Sequence, residues 1–330
     1  AEAKTVFDAA LKAHADDGAM LLFAARVATT ASDTARANEF LERARTRSHD
    51  ADWLRASARI LHQRGELAEA LQHWEKVAAI HPLDLGAQRA VAGLKYDLGG
   101  RMVAVAYLRS VTDRFPHHQG LCELFIEWLD EAPLPESEAA LHRLLAINPA
   151  NAWAERQLAL NLARQRRFPD AHQSMARAKE LAPNALPWHN VMGSILILEG
   201  RRSEAQDAFR AALRLSVDSD YAINQLLESC TGIDDRREAL GFVFDEMKRQ
   251  VIYGDALLVY QRHARETIEP AIVAASLDEA RQARPDLWQA WAACVRQQIE
   301  LQQTLQAQAL CDESITRFPV LPRLYIDRAE

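Results

Sequence analysis

The chain has 330 residues, of which 49% are hydrophobic and 26% charged, with 12 Gly and 12 Pro. That composition excludes a disordered chain, and its wealth of Ala, Leu, Glu, Gln and Arg excludes a mainly β protein. A formal charge of −7 argues against wholesale binding to a phosphate backbone, and no apolar run approaches a membrane-spanning length. Four cysteines without a CxxC pair are not a disulfide framework. They fit a reducing compartment and a cytoplasmic location, or a periplasmic one if a signal peptide preceded Ala1. Six Lys among 39 basic residues leave a strong Arg bias, which with the abundant Ala suggests a GC-rich bacterial gene.

From the N-terminus onward the chain is punctuated by prolines. Pro82, Pro116, Pro149, Pro183, Pro285 and Pro319 stand 34, 33, 34, 102 and 34 residues apart, and 102 is three periods of 34. Such a recurrence marks a stacked-repeat architecture. With the closing Pro at position 32, repeats start at Asp17, Ala51, Leu85, Gln119, Ala152, Leu186, Asp220, Gly254 and Trp288. Position 8 is then small, with Ala24, Ala58, Ala92, Ala159 and Gly193. Position 20 is small as well, with Ala70, Ala104, Ser137, Ala171, Ala205, Ala239 and Ala307, and Val273 as the exception. Position 24 is mostly bulky, from Phe40, Trp74 and Leu108 through Leu141, Met175, Phe209, Val243 and Leu277 to Cys311. Gly65, Gly99 and Gly200 fall at position 15, where a turn between helices favours positive φ.

This pattern resembles the tetratricopeptide repeat family over essentially the whole chain. The resemblance implies an all-α, right-handed α-solenoid of about nine helix–turn–helix repeats, each with a helix A and a helix B, plus half-repeats at both ends. Residues 1–16 are expected to be helix B of an incomplete leading repeat, with Ala3, Phe7 and Ala10 on its packing positions. Residues 17–321 form the continuous superhelix, and residues 322–330 a truncated helix A. Because a solenoid buries each repeat only against its neighbours, half-repeats at both ends suggest a fragment of a longer protein.

Several positions depart from the pattern. The repeat at Gln119 is one residue short, with Pro133 and Pro135 in its inter-helix turn, which is expected to be rigid. Val217 and Val251 replace the closing Pro, Gln261 stands where a small residue belongs, and Arg36 and Arg43 sit poorly in the first full repeat.

Nothing in the sequence builds an active site. Cys122, Cys230, Cys294 and Cys311 fall on helix-packing positions and read as buried hydrophobes. The 11 His contain no HExxH and no zinc spacing, and no GxGxxG, GxxxxGK[ST] or GxSxG occurs. The tryptophans recur at helical intervals and read as core. No catalytic residue, metal or cofactor is therefore assigned.

In the family this chain resembles, positions 2, 5, 9, 12 and 13 of helix A line a concave groove. Carried over, they give Arg55, Arg59, His62 and Gln63, then Arg89, Tyr96 and Asp97, then the acidic set Glu123, Glu127, Asp130 and Glu131. Next come Trp153, Arg156, Leu160 and Arg164, followed by Asn190, Ser194, Ile197 and Leu198. Tyr221, Asn224 and Glu228, Arg262 and Arg265, and Gln289, Arg296 and Glu300 complete the set. The arginine forks suit carboxylates and carbonyls. Asn190 and Asn224 can bond both the N–H and the C=O of an extended peptide, and Trp153, Leu160, Ile197, Leu198 and Tyr221 offer an apolar strip. The family's Lys/Asn carboxylate clamp is not reproduced, nor is the asparagine ladder at position 6.

The expected function is a scaffold that captures a protein or peptide in this groove, with no nucleic acid and no membrane insertion. The alternatives are a substrate-recognition arm of a bacterial protein-modifying enzyme, such as a peptidase or glycosyltransferase, whose catalytic domain lies outside the chain, and an assembly factor for envelope or polysaccharide export. Self-association through uncapped ends is a further expectation.

Overall fold

A computed structural model describes residues 2–129, 134–251 and 254–329. The chain divides into two compact units, 1–149 and 150–330. In the first, the helices are α1 (Glu2–Ala13), α2 (Gly18–Thr30), α3 (Thr34–Ala44), α4 (Asp50–Gln63), α5 (Leu67–Ile80), α6 (Leu85–Gly99), α7 (Arg101–Arg114), α8 (Gln119–Trp128) and α9 (Leu134–Ile147). In the second they are α10 (Ala152–Arg164), α11 (Phe168–Leu181), α12 (Leu186–Glu199), α13 (Arg202–Leu215), α14 (Asp220–Ser229), α15 (Ile233–Gln250), α16 (Ala256–Ala264), α17 (Pro270–Ala283), α18 (Trp288–Glu300), α19 (Thr304–Arg317) and α20 (Pro322–Ala329). No strand occurs among the described residues. The even-numbered helices from α2 to α18 begin within two residues of the nine repeat starts, so the fold is an all-α repeat solenoid with the helix pairs where the prolines put them.

Helix starts are set chemically. At α2, α6, α8, α10 and α14 a side chain caps the helix by accepting an amide hydrogen that no helical carbonyl can reach. Asp17 Oδ1 accepts from Met20 N at 2.7 Å, Asp84 Oδ1 from Ala87 N at 3.1 Å and Asn151 Oδ1 from Ala154 N at 3.0 Å. His118 does the same for α8 with Nδ1, 3.2 Å from Leu121 N, so this histidine is a cap.

Among the described residues, the turns inside six of the pairs use one left-handed residue. Gly65, Gly100 and Gly200 supply it with φ near 80°. The expectation had been Gly99, but α6 runs one residue further and Gly99 stays helical, which passes the left-handed position to Gly100. Ser32, Arg166 and Gln302 hold the equivalent place in other pairs without glycine's freedom. The Pro133 turn lies outside the described residues.

Packing follows the size pattern. Ala24, Ala58, Ala92 and Ala159 at position 8, and Ala70, Ala104, Ala171, Ala205 and Ala239 at position 20, are essentially inaccessible. The bulky residues at position 24, from Phe40 to Cys311, are all buried. Phe7 and Leu11 of α1 pack on the cluster formed by α2 and α3, as a preceding helix B would. Among the described residues all four cysteines are free, three of them buried and Cys230 half-buried. Burial pushes the Cys230 and Cys294 thiols up to about 11 and about 12, so neither is a nucleophile at neutral pH.

The irregular repeats have local remedies. Val217, in place of a closing Pro, has an N–H to satisfy, and Gln250 of α15 accepts it at 2.8 Å while donating to Leu213 O at 2.7 Å. Gln261 is buried and donates to Gln297 Oε1 at 3.2 Å, and Gln297 donates in turn to Pro270 O at 3.0 Å. Arg43 reaches Ala15 O at 2.7 Å, and Arg36 rests over the Phe40 ring.

Two glycines in helix interiors separate packing from propensity. A Cβ on Gly193 of α12 would sit 2.5 Å from Cε1 of buried Phe209, whereas nothing lies within 4 Å of one on exposed Gly241 of α15. Gly193→Ala is therefore expected to destabilise the fold by about 1–3 kcal/mol through overpacking. Gly241→Ala should stabilise it by about 0.5–1 kcal/mol through backbone entropy. Urea unfolding of the two variants checks the pair, and a common sign would show that the α12–α13 crossing is looser than described.

Candidate ligand-binding surface

In the first unit the groove positions of α4 and α6 are largely satisfied by the protein itself. Arg55 bonds Asp52 at 3.1 Å and Asp84 at 2.6 Å. Burial pushes the Asp84 carboxyl up, but Arg55 and the amides of Ala87 and Gly86 outweigh it, so its pKa lies below the ordinary value. Arg89 pairs with Glu127 at 2.8 Å, and Glu123 accepts from Gln119 at 2.8 Å. Asp130 and Glu131 lie outside the described residues. Tyr96 meets Trp128 edge-on at 5.8 Å. Arg59 is different: it lies 5.8 Å from the Trp74 ring and is paired with no carboxylate among the described residues. It borders a cleft of about 540 Å³ between α2 and α4.

In the second unit the groove positions sit on α10, α12, α14, α16 and α18. Trp153, Arg156 and Leu160 follow one another on one face of α10, three and four residues apart, and all are half-buried. Arg156 has no hydrogen-bond or ionic partner among the described residues, and burial pushes its guanidinium below the ordinary value. Arg164 is exposed at the last turn of the same helix. On α12, which packs against α10, the Asn190 side-chain oxygen is buried and unpartnered. Four residues on, the Ser194 hydroxyl bonds Asn190 O at 3.0 Å and Tyr221 OH at 2.6 Å. Ile197 packs into the core, and Tyr221 of α14 stays exposed.

Asn224 is held by groups that the groove positions do not include. Its Oδ1 accepts from His263 Nε2 at 2.7 Å and from Arg262 at 3.3 Å, while His263 Nδ1 accepts from Arg236 at 2.9 Å. Arg236 can only donate, so His263 is neutral with its proton on Nε2. That leaves the Asn224 amide as a donor toward the groove rather than the two-way partner expected from sequence. His263 stands at position 10, one past the assumed groove position, and Arg236 on the preceding helix B. A reading confined to five positions of helix A passes over both. Further along, Arg265 pairs with Glu300 at 2.6 Å. Arg265, Arg296 and Arg323 line a cleft of about 560 Å³ between α16, α18 and α20.

Among the described residues no group of three His, Cys, Asp or Glu could hold a metal, and no helix is long and apolar enough to cross a membrane.

Helix pairs at a spacing near 34 residues, with buried small residues at their crossings, define an all-α helical-repeat solenoid. No protein-family model and no curated protein matches the chain. Among solved structures it is similar to MamA, from position 41 to its end, of Desulfovibrio magneticus, at 20% identity over 51% of this chain and 96% of that one, with a TM-score of 0.41. A tetratricopeptide repeat protein of Parabacteroides merdae shares 11% identity over 72% of this chain and 94% of its own, with a TM-score of 0.46. YrrB, described as a tetratricopeptide protein with an unusual peptide-binding site, shares 16% over 55% and 95%, with a TM-score of 0.37.

Three histidines have pKa values below 6.5. For His263 the causes are burial, then Arg236 and Arg262; for His189, burial and Lys179; for His73, burial and Lys76. Each takes up a proton more readily in the unfolded chain than in the folded one, so its contribution is fully present above about pH 6.5 and declines as pH falls below it. Unfolding midpoints in urea between pH 7.5 and 5.5 are expected to fall with acidification, and the slope should be shallower in His263→Gln. An equal slope in the variant would contradict the locked neutral ring.

Proposed function

We propose that the chain is a protein- or peptide-binding scaffold, and that the helix-A face of its second unit takes an extended ligand bearing a carboxylate. The observation that carries this reading is Arg156. A guanidinium pushed down by burial and given no acceptor is a cost to the free protein, and an incoming carboxylate removes it. The surroundings suit a peptide. Trp153 and Leu160 flank the cation with apolar surface, the buried Asn190 oxygen awaits a donor such as a backbone N–H, and the Asn224 amide offers a hydrogen to a backbone carbonyl. No bond is made or broken by these groups, and recognition is the whole of the activity.

Arg156→Met tests this, because the variant keeps the aliphatic stem and drops the charge. On an array of peptides with acidic side chains and free C-termini, the variant is expected to bind at least ~10-fold more weakly than the parent chain. Its melting temperature should be unchanged or higher, since an unpaired charge has been removed from a half-buried place. Equal binding by the two proteins would overturn the assignment of Arg156.

A further inference from the structure

The first unit contains a cation-rich cleft that the reading above does not use. Helices α2 and α4 enclose about 540 Å³, a volume within the usual range for ligand sites. Its apolar lining includes Leu22, Phe23 and buried Ile60, and Phe23 is left 42% exposed. Its rim carries Arg26, Arg55 and Arg59 against a single carboxylate, Asp52. That carboxylate is engaged by Arg55, which Asp84 also holds. Arg26 and Arg59 are left over. Their guanidinium carbons lie 5.0 Å from the Phe23 ring and 5.8 Å from the Trp74 ring, and neither meets a carboxylate among the described residues. Most of the chain's arginines are paired with an acid or a carbonyl, so two without one on a single cleft, in a protein of net charge −7, form a local reversal of sign.

We propose that this cleft is a second, separate binding site, for an acidic amphipathic peptide segment in which a bulky apolar side chain is flanked by carboxylates. The apolar side chain enters against Leu22, Phe23 and Ile60, replacing water on the exposed face of the ring. The carboxylates take the two guanidinium forks, which are held over aromatic faces and so lose little freedom on binding. Charge complementarity selects the occupant. An aliphatic peptide without acids leaves both cations unpaired, and an acidic one without the apolar residue leaves Phe23 wet. The proposal rests on the wider reading of the chain as a peptide-binding scaffold but not on Arg156, which belongs to the other unit.

The test is selection of a random dodecapeptide phage library on the whole chain, followed by affinity measurements on synthetic copies of the enriched peptides. Expected are sequences with two or more acids beside a bulky apolar residue. Their binding should fall ~10-fold or more in Arg26→Gln/Arg59→Gln and in Phe23→Ala, and should be unchanged in Arg202→Gln, an exposed arginine outside both sites, while Arg156→Gln reports on the other site. Melting temperatures close to that of the parent chain keep the variants comparable, since Phe23, Arg26, Arg59 and Arg202 are all exposed. A library that yields no binder dependent on Arg26 and Arg59 overturns the proposal. It does so even where binders depend on Arg156, a result that would sustain the other site alone. Serine in place of the apolar residue without loss of affinity also overturns it, as does Arg26- and Arg59-dependent binding of a 20-nucleotide oligothymidylate tighter than that of any selected peptide.

Discussion

Where a first helix crosses its own second helix, backbone and ring come within van der Waals reach, and the crossing exists because the residue there has almost no side chain. Gly193 against Phe209 is one case, and the buried alanines at positions 8 and 20 recur along both units. A methyl group or less on one side lets a bulky residue on the other bury fully, which is how a pair of 13- or 14-residue helices acquires a core that neither could form alone. The outward-facing residues depend on this. Position 8 is committed to the crossing, and the neighbouring positions 5 and 9 of helix A, where Arg156, Asn190 and Arg59 stand, remain exposed or half-buried beside it.

The outward stripe is electrostatically uneven. Arg55, Arg89 and Arg265 look alike in sequence to Arg59 and Arg156, yet the first three are neutralised by Asp84, Glu127 and Glu300. Those acids lie 29, 38 and 35 residues away, close to one repeat further on. Ion pairing between adjacent repeats thus takes up these three cations, and Arg59 and Arg156, which meet no acid among the described residues, are the ones with free energy to gain from a ligand. Exposed pairs of this kind contribute little to stability. Their effect is to determine which charges remain available.

Much of the fold was legible in the sequence because its determinants are local and repeated. Proline spacing and small–bulky alternation each carry the same 34-residue period, so an error in one is corrected by the other. One slip, Gly99 for Gly100, came from a helix one residue longer than α4 and α12, and another is Pro135, which lies in the first turn of α9 rather than in the inter-helix turn. The surface was legible only in part. Its candidates could be named by position, but whether a given Arg is free or taken is decided by a partner about one repeat away. His118 as a cap and His263 as the holder of Asn224 were invisible for the same reason: a lone histidine has no pattern, and its role is conferred by what packs against it.

The pairing of Gln261 with Gln297 sets a limit on modularity. In most of the chain a repeat meets its neighbour through apolar surface, and one alanine seam is much like another. Here a buried amide on α16 has its oxygen-bearing counterpart on α18, and that counterpart in turn depends on the Pro270 carbonyl at the start of α17. Either helix pair, copied or moved without the other, would bury an amide with nothing to bond. These two repeats therefore behave as one inheritable block, and the bonds from Gln250 to Val217 and from His263 to Asn224 tie the repeats before them in the same way. Recombination or length engineering of the array has its permitted joints elsewhere.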